Sequence, residues 1–303
     1  MKTLVIPPWL KEGDHIAIVS PSGVVDRDVI ERAADMLTAS GFQVAIGKNV
    51  FNRNGCFAGT DSERLEDLQK VTDDPDIKAV FCSRGGYGIL RIIDRIDFSS
   101  LKKNPKWYVG FSDITVLHLW LSRLYGVISL HAEMPLNYTN PKKTRESFTS
   151  VISALRGELE PINWKSSHDA LIDVSGPLIG GNLSLIYSLM GTAAEPETDG
   201  SIFFIEEVAE YYYHLDRMLT SLRLAGKLRN LAALVVGGME RMEQGNVRYN
   251  KSAEEIILDI AGQYNYPILF NFPAGHIGDN RAVFIGREAR ITQEGYNARM
   301  TFI

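Results

Sequence analysis

The sequence contains three side chains of the types that a serine nucleophile requires: Ser112, Glu206 and His276. A serine hydroxyl becomes nucleophilic when a neighbouring imidazole takes its proton. The imidazole in turn needs a carboxylate that fixes its tautomer and stabilises its cation. Each of the three residues follows an apolar run that is typical of a buried strand. Because functional residues collect at the carboxyl ends of parallel strands, such distant positions can meet in acyl-transfer chemistry.

Ser112 lies between a predicted strand and a predicted helix. The apolar run 107–111 ends at Ser112 and Asp113, and residues 115–124 have a helical pattern. A tight turn of this kind holds a hydroxyl over the first N–H groups of a helix, where the oxyanion of an acyl-transfer intermediate is stabilised. The alternative is an ordinary helix N-cap, since Ser and Asp are common there. Residues 110–114 lack the second glycine of the G-x-S-x-G elbow, which argues against a standard lipase or esterase.

Three acids compete for the role of the orienting carboxylate: Glu206, Glu207 and Glu210. Glu206 is preferred because it comes first after the strand pattern 201–205. Glu207 would point to the opposite face if the strand continues.

The other histidines are weaker candidates for chemistry. His118 falls in the helix that follows the serine, where packing is expected to set its side chain, and His131 could line the same cleft. His15, His168 and His214 have no converging acids at metal-ligand spacing. The sequence therefore does not support a metal site.

Gly85, Gly86 and Gly88 follow the third predicted strand, residues 77–83. Their spacing does not fit G-x-G-x-x-G, and no Gly-Lys-Ser/Thr follows, so neither a dinucleotide fingerprint nor a P-loop is indicated. One interpretation is a loop whose backbone comes close to a ligand and offers N–H groups. The other is a plain tight turn. No cofactor is expected.

Strand and helix patterns alternate in the first half of the sequence. The apolar run 15–20 is followed by the helical pattern 28–39, and the strand pattern 42–46 by a capping box that begins at Thr60. Such alternation implies right-handed crossovers and a mainly parallel sheet flanked by helices. We therefore predict an N-terminal α/β domain over residues 1–154, which carries the serine.

The remaining chain is predicted to form a polar linker and a second domain. Residues 155–173 are polar and contain Pro161, which favours an interdomain linker. Residues 174–303 are expected to form a smaller C-terminal α/β domain rich in β-strands, with a tail that alternates like small antiparallel strands. This second domain would carry the glutamate and the histidine.

The composition is that of an ordinary globular protein, with 45% hydrophobic and 23% charged residues among 303. The formal net charge is −5 and both signs are mixed along the chain, so neither nucleic acid nor a membrane is an expected partner. Residues 1–10 do not resemble a secretory signal, and no apolar window is long enough to span a membrane. Cys56 and Cys82 alone form neither a disulfide framework nor a cysteine-based zinc site. A cytoplasmic location is expected.

A series of motifs over nearly the whole chain resembles one family, the serine LD-carboxypeptidases or muramoyltetrapeptide carboxypeptidases. The most specific are Ser83-Arg84-Gly85-Gly86-Tyr87-Gly88 and Gly110-Phe111-Ser112-Asp113-Ile114-Thr115. The other matching segments are Leu10 to Asp14, Pro21 to Gly23, Gly59 to Asp61 with Arg64 and Asp67-Leu68, Gly180 to Leu183, Ile205 to Glu207 with Asp216-Arg217, and Gly275-His276. Each motif alone would be weak, but their common order makes the resemblance specific.

The resemblance implies Ser112 as the nucleophile, His276 as the base and Glu206 as the orienting acid, with the triad meeting between two domains. It also implies an oxyanion hole formed by the N–H groups of Gly86 and Asp113. Family members are usually homodimers and need no metal.

The resemblance further suggests residues that contact the substrate. Gly85 and Tyr87 are expected to do so from the glycine motif. Asn182 and Arg217 are candidates too, although Asn182 could equally be a helix cap and Arg217 could simply pair with an acid.

The implied reaction removes the terminal D-alanine from the murein tetrapeptide, after the L-centre of a diamino acid, during cell-wall recycling in the cytoplasm. Related enzymes cleave peptidyl-nucleotide antibiotics and confer self-immunity, but their longer C-terminal loops do not fit in 303 residues. A non-catalytic, two-lobed peptide-binding protein is the alternative from another class. The segment 131–134, His-Ala-Glu-Met, departs from the expected His-Gly-Pro-Met, which affects substrate detail rather than the chemistry.

Overall fold

The structure is a computed structural model that describes residues 4–158, 160–246 and 248–303. The chain divides into two compact units. Unit 1 comprises Met1–Leu159 and Gly278–Gly286, and unit 2 comprises Glu160–Ile277 and Arg287–Ile303. Residues 278–286, expected in the C-terminal domain, thus belong to unit 1, because Val283–Ile285 pairs with a strand of that unit.

The elements alternate along the chain much as the sequence predicts. The strands are β1 (His15–Val19), β2 (Gln43–Ile46), β3 (Ile77–Cys82), β4 (Trp107–Gly110), β5 (Ser129–His131), β6 (Ile162–Asn182), β7 (Ile202–Val208), β8 (Ala233–Glu240), β9 (Ile268–Leu269), β10 (Val283–Ile285) and β11 (Glu288–Phe302). The α-helices are α1 (Arg27–Ala39), α2 (Asp61–Asp73), α3 (Thr115–Trp120), α4 (Arg145–Arg156), α5 (Leu183–Ser188), α6 (Tyr212–Leu224) and α7 (Ala253–Ala261). Within the described residues, no helix combines the length and the apolar character needed to cross a membrane.

In the described part of unit 1, six strands form one sheet in the order β10-β5-β4-β3-β1-β2. Neighbouring strands are parallel, except that β10 runs antiparallel to β5. β4 is buried along its whole length and β1 and β3 nearly so, as expected of strands covered on both faces. The predicted mainly parallel α/β arrangement is confirmed, and it brings the carboxyl ends of β3, β4 and β5 side by side.

The helices α1 and α2 show how local sequence determines their bounds. Ile30, Ala33 and Leu37 bury one face of α1 at helical spacing. α2 begins with the predicted capping box: Thr60 Oγ1 accepts a hydrogen bond from the Glu63 N–H at 3.3 Å, and Glu63 Oε2 accepts one from the Thr60 N–H at 2.7 Å. Such a cap stabilises a helix by about 1 kcal/mol.

The sheet of unit 2 has, among its described residues, five strands in the order β11-β6-β7-β8-β9. β6 to β9 are parallel to their neighbours, while β11 is antiparallel to β6. α6 buries an apolar face formed by Leu215, Met218, Leu219 and Leu222. The second unit is therefore an α/β structure rich in strands, as predicted.

Most of the predicted linker is regular structure. Residues 155 and 156 end α4, and residues 162–173 form the first part of β6, paired antiparallel with β11. Trp164 and Ser166 are buried while most of the polar residues around them face solvent, a pattern typical of a strand with one solvated face. The linker prediction is wrong for 162–173, because the pairing partner lies far away in the sequence.

Candidate active site

Ser112 lies on a sharp turn between β4 and α3. Phe111 is extended, and Ser112 has a φ of 65°, in the left-handed region that residues with a β-carbon rarely adopt. Backbone strain of this kind costs on the order of 1–3 kcal/mol and is concentrated at functional sites. Within the described turn, neither Ser112 nor Asp113 caps the helix with its side chain. The N-cap interpretation is therefore wrong.

The glycine segment, which we define as residues 84–89, lies against the Ser112 turn. A β-carbon on Gly85 would stand 2.8 Å from the Ser112 β-carbon and 3.3 Å from the Asp113 amide nitrogen. Only glycine permits this approach. Gly86, with a φ of 102°, and the residue after it are exposed. The segment thus approaches the Ser112 turn closely, and its approach to a ligand stays a prediction.

The Asp113 side chain is completely buried and points at the glycine segment. Its Oδ2 accepts hydrogen bonds from the Ser22 hydroxyl at 2.6 Å and from the Ile89 N–H at 3.0 Å. Burial raises the pKa of this carboxyl, and the Ser22 and Ile89 hydrogen bonds oppose that rise. The sequence indicated the backbone N–H of Asp113 and a possible helix cap, but not that its side chain holds the neighbouring loops.

His118 ties α3 to the ends of two strands. Its Nε2 donates to the Gly110 carbonyl and its Nδ1 accepts from the Ser129 hydroxyl, both at 2.8 Å. These partners select the neutral Nε2–H tautomer. Burial lowers the pKa of His118 to about 4, so the ring is uncharged near neutral pH. The prediction that packing sets this side chain is confirmed.

The segment after β5 contains the departure from the family motif. His131 is fully buried, and its ring lies 5.8 Å from the Phe111 ring. Glu133 is also buried; its Oε2 lies 2.7 Å from Lys143 Nζ, and its Oε1 accepts from Asn137 Nδ2 at 2.7 Å. The ammonium and the amide compensate the buried carboxylate, which explains how glutamate is accommodated at this position.

In unit 2, Glu206 and His276 form a directly hydrogen-bonded pair. Glu206, fully buried in β7, accepts through Oε2 from His276 Nδ1 at 2.7 Å and from the His276 backbone N–H at 3.3 Å. A β-carbon on Gly275, whose φ is 106°, would lie 2.7 Å from the same carboxylate oxygen, so glycine is needed for the approach. Because the carboxylate accepts from Nδ1, Nε2 is the basic nitrogen of the neutral imidazole.

Glu207 points to the other face of β7, as strand alternation requires. Its Oε2 accepts from the Ser184 N–H at 2.8 Å and the Ser184 hydroxyl at 2.7 Å, and its Oε1 accepts from Asn182 Nδ2 at 2.9 Å. Burial raises the pKa of Glu207. This carboxylate therefore anchors the start of α5.

Glu210 pairs with another histidine, since its Oε2 lies 2.8 Å from His214 Nδ1. Of the three competing acids, Glu206 is thus the one that contacts His276. This agrees with the preference drawn from its place after the strand.

The remaining predicted substrate contacts have identifiable partners within their own units. Asn182 caps α5, with its Oδ1 accepting from the Leu185 N–H at 3.3 Å, which agrees with the cap interpretation. Arg217 is exposed, with its guanidinium 5.2 Å from the centre of the Tyr213 ring. Tyr87, in the glycine segment, is 50% exposed and therefore available to a ligand.

Arg64 of α2 is a functional candidate to which sequence analysis assigned no role. Its buried guanidinium donates from Nη1 to the Pro21 carbonyl at 2.5 Å and to the Gly88 carbonyl at 2.8 Å. A signal was present in the sequence: Arg64 shares a helix face with Leu68 and Val71, where a charged residue is unexpected.

The site residues form two clusters, one in each unit. Unit 1 holds a serine on a strained turn beside the backbone amides of the glycine segment and of Asp113. Unit 2 holds the imidazole–carboxylate pair. Together these are the components of nucleophilic acyl transfer.

Family models match both parts of the chain. The LD-carboxypeptidase N-terminal domain matches residues 16–132, and the LD-carboxypeptidase C-terminal domain matches residues 175–291. The chain is 34% identical over 291 residues to the probable murein peptide carboxypeptidase of Bacillus subtilis strain 168. That match covers 93% of this chain and 90% of the relative.

Solved structures share the fold of this chain. A muramoyltetrapeptide carboxypeptidase from Oxalobacter formigenes is 27% identical with a TM-score of 0.87, over 95% of this chain and 98% of that chain. The microcin C7 self-immunity protein MccF gives a TM-score of 0.88 over 98% of each chain at 21% identity. At that identity the likeness to MccF concerns the fold alone.

Proposed function

This chain belongs to the LD-carboxypeptidase family, and on that premise we propose that it releases the terminal D-alanine of the murein tetrapeptide in peptidoglycan recycling. It is a serine-type carboxypeptidase, as the sequence motifs indicated. The bacterial relatives are named for murein peptide and for muramoyltetrapeptide. The bond to be cleaved joins the L-centre of a diamino acid to D-alanine.

The observation that carries this proposal is the pairing of His276 with Glu206. A buried carboxylate 2.7 Å from Nδ1 holds the imidazole in the tautomer whose Nε2 can take a proton, and it stabilises the imidazolium that results. Ser112, on a turn with a φ of 65°, is the corresponding nucleophile. Its strained backbone is typical of residues held in place for function.

In the proposed reaction His276 accepts the Ser112 proton while the serine oxygen attacks the carbonyl carbon of the L-centre. The N–H groups of Gly86 and Asp113 stabilise the resulting oxyanion. The C–N bond then breaks, and D-alanine leaves with the proton from the imidazolium. Water, deprotonated by His276, hydrolyses the acyl-enzyme and restores the serine.

Two residues of the glycine segment are proposed to contact the peptide. Gly85 has no β-carbon, so the space beside the nucleophile stays open. The exposed Tyr87 ring offers an apolar face to the substrate. Arg217 retains an exposed guanidinium that could meet a substrate carboxylate. Asn182 acts indirectly, because its amide groups bind the α5 backbone and Glu207.

A homodimer and a cytoplasmic location complete the proposal. Both come from the family resemblance, and recycling of released muropeptides suits a cytoplasmic enzyme. Light scattering on the purified protein measures the first, and fractionation of the source cells measures the second. Self-immunity against peptidyl-nucleotides is not proposed, since the likeness to MccF is one of fold only.

The test is mass spectrometry of the purified protein with L-Ala-γ-D-Glu-meso-diaminopimelate-D-Ala. We expect the loss of one alanine with the wild type and with Ser188→Ala, a control at an exposed serine whose hydroxyl donates to the Ser184 carbonyl. Ser112→Ala should lower turnover by several orders of magnitude. A peptide ending in L-alanine should remain intact.

The outcomes separate the parts of the proposal. Cleavage by Ser112→Ala at the wild-type rate would overturn the assignment of the nucleophile. No cleavage by the wild type would overturn the assignment of the tetrapeptide as the substrate, and a peptidyl-nucleotide would be assayed next.

A further inference from the structure

Two buried side chains of unit 1, one acidic and one basic, each connect the same pair of loops. One loop is the glycine segment, after β3. The other, which we call the Pro21 loop, consists of residues 20–24 after β1. The side chains are Asp113, next to the proposed nucleophile, and Arg64 of α2. Neither takes part in the reaction steps above through its side chain.

Asp113 connects the two loops through a single oxygen. Its Oδ2 accepts from Ser22 Oγ in the Pro21 loop at 2.6 Å and from the Ile89 N–H of the glycine segment at 3.0 Å. Its Oδ1 accepts no hydrogen bond from any residue that the structure describes. All of its hydrogen bonds from described residues therefore serve to hold these loops together.

Arg64 connects the same loops through their carbonyl groups. Nη1 donates to the Pro21 carbonyl at 2.5 Å and to the Gly88 carbonyl at 2.8 Å, while Nη2 contacts Asp61. A β-carbon on Gly88 would lie 2.6 Å from Arg64 Nη1, so this contact exists only because residue 88 is glycine. The loops also bond directly, from the Gly23 N–H to the Gly85 carbonyl at 3.0 Å.

The glycine segment, which these contacts hold in place, carries one of the two proposed oxyanion donors, the Gly86 N–H. Gly86 lies between Gly85, held by Gly23, and the Gly88–Ile89 pair, held by Arg64 and Asp113. Glycine-rich backbone has more conformational freedom than any other. A donor on it contributes to catalysis only when it is held where the charge develops.

We propose that the Asp113 carboxylate, together with Arg64, positions the glycine segment so that the Gly86 N–H joins the Asp113 N–H in one oxyanion hole. This inference rests on the proposed function. Asp113 thereby has two roles, with its backbone as a donor and its side chain as a positioning group for the second donor. Buried acidic and basic side chains are not needed for stability alone, since apolar packing often stabilises as well. An apolar pair at positions 64 and 113 would make none of the hydrogen bonds that hold the two loops.

The experiment compares two substitutions at Asp113 on the tetrapeptide substrate. Asp113→Ala removes both loop contacts but keeps the backbone N–H, and we expect kcat to fall by about 100-fold with KM changed by less than about 3-fold, because loss of one positioned donor has an effect of this size. Asp113→Asn retains an oxygen that can accept from Ser22 and Ile89. It should restore kcat to within about 10-fold of the wild type.

Asp67→Ala is the matched control. Asp67 is also a buried carboxylate that holds a loop after a strand, with its Oδ2 accepting from the Asn49 N–H at 2.8 Å, and burial raises its pKa too. Its loop follows β2 rather than β1 or β3. The control should lose thermal stability to a similar extent but keep kcat within about 3-fold.

Ser22→Ala tests the same contact with a smaller change. Alone it should lower kcat by about 3- to 10-fold, and in the Asp113→Ala background it should have no further effect, because the two residues act through one hydrogen bond. Equal loss of kcat in Asp67→Ala and Asp113→Ala, or additive losses in the double variant, would overturn the proposal.

Hydrogen exchange provides a readout that does not depend on the substrate. In Asp113→Ala the peptide covering residues 84–89 should exchange at least about 10-fold faster than in the wild type, with residues 47–52 unchanged. If the wild type fails to cleave the tetrapeptide, the proposed function fails, but this exchange pattern still shows whether Asp113 holds the glycine segment. Unchanged exchange at 84–89 would overturn the positioning role even in an active enzyme.

Discussion

Gly85 and Ser112 approach each other so closely that no side chain fits between them. A β-carbon on Gly85 would lie 2.9 Å from the Ser112 hydroxyl oxygen and 2.8 Å from the Ser112 β-carbon. Real β-carbons are not found at such distances, and the atoms met are those of the proposed nucleophile. The space beside Ser112 is thus open only because residue 85, which follows the neighbouring strand β3, has no side chain.

Gly85→Ala should therefore strongly reduce activity without unfolding the protein. The added methyl group displaces either Ser112 or the glycine segment, and we expect kcat/KM to fall by more than about 100-fold, with a stability loss of about 1–3 kcal/mol from overpacking. Steady-state kinetics and thermal melts measure both effects. Gly226→Ala is the control: its φ is 80° and nothing lies within 4 Å of a β-carbon there, so it should lose stability and keep activity.

Ser112→Gly and Ser112→Ala should be equally inactive but unequal in stability. Alanine retains the β-carbon that disfavours a φ of 65°, whereas glycine adopts this conformation without strain. We expect the glycine variant to be more stable than the alanine variant by about 1 kcal/mol, as measured by denaturant unfolding. Equal stability of the two would mean that the turn relaxes once the hydroxyl is removed.

Glu206→Gln should lower mainly the activity, whereas Glu207→Gln, on the neighbouring residue, should lower mainly the stability. The first replaces the carboxylate that holds His276 Nδ1, and kcat should fall on the order of 10³–10⁴-fold. The second weakens a carboxylate that accepts from Asn182 and Ser184, so stability should fall by about 1–3 kcal/mol. Its kcat should stay within about 10-fold. The reverse pattern would assign the orienting role to Glu207.

Acid destabilisation should depend on His118. Burial lowers its pKa from 6.5 to about 4 in the folded state, so the unfolded chain binds more protons between these values. The contribution is fully present above pH 6.5 and is lost as the pH falls through about 4, with a total of about 3 kcal/mol. Denaturant unfolding at pH 7.5 and pH 5 measures it. In His118→Gln the stability at pH 7.5 should be lower, but the difference between the two pH values should shrink; an unchanged difference would contradict the assignment.

Much of the fold could be predicted because it is encoded locally. The helical pattern of residues 28–39 and the capping box at Thr60 involve residues three or four positions apart, and both elements form as predicted. Consecutive buried positions in β3 and β4 likewise indicate strands covered on both faces.

Pairing between strands that are far apart in the sequence explains the two errors in the predicted domain organisation. Residues 162–173 look like a linker because polar side chains predominate in them, and only their pairing with β11 makes them a strand. Val283–Ile285 joins the sheet of unit 1 through β5, which no nearby residue indicates. Long-range pairing depends on which strand edges the rest of the chain leaves open.

The sequence by itself determined the chemistry available to this protein, because the residue types Ser112, Glu206 and His276 and the ordered motifs around them set the family. The tertiary structure alone decided which carboxylate serves His276, since neighbouring strand residues point to opposite faces and only packing selects between them. It also decided that the Asp113 and Arg64 side chains meet the glycine segment. Their partners lie on other strands and loops, and such contacts form only when the sheet brings the strand ends together.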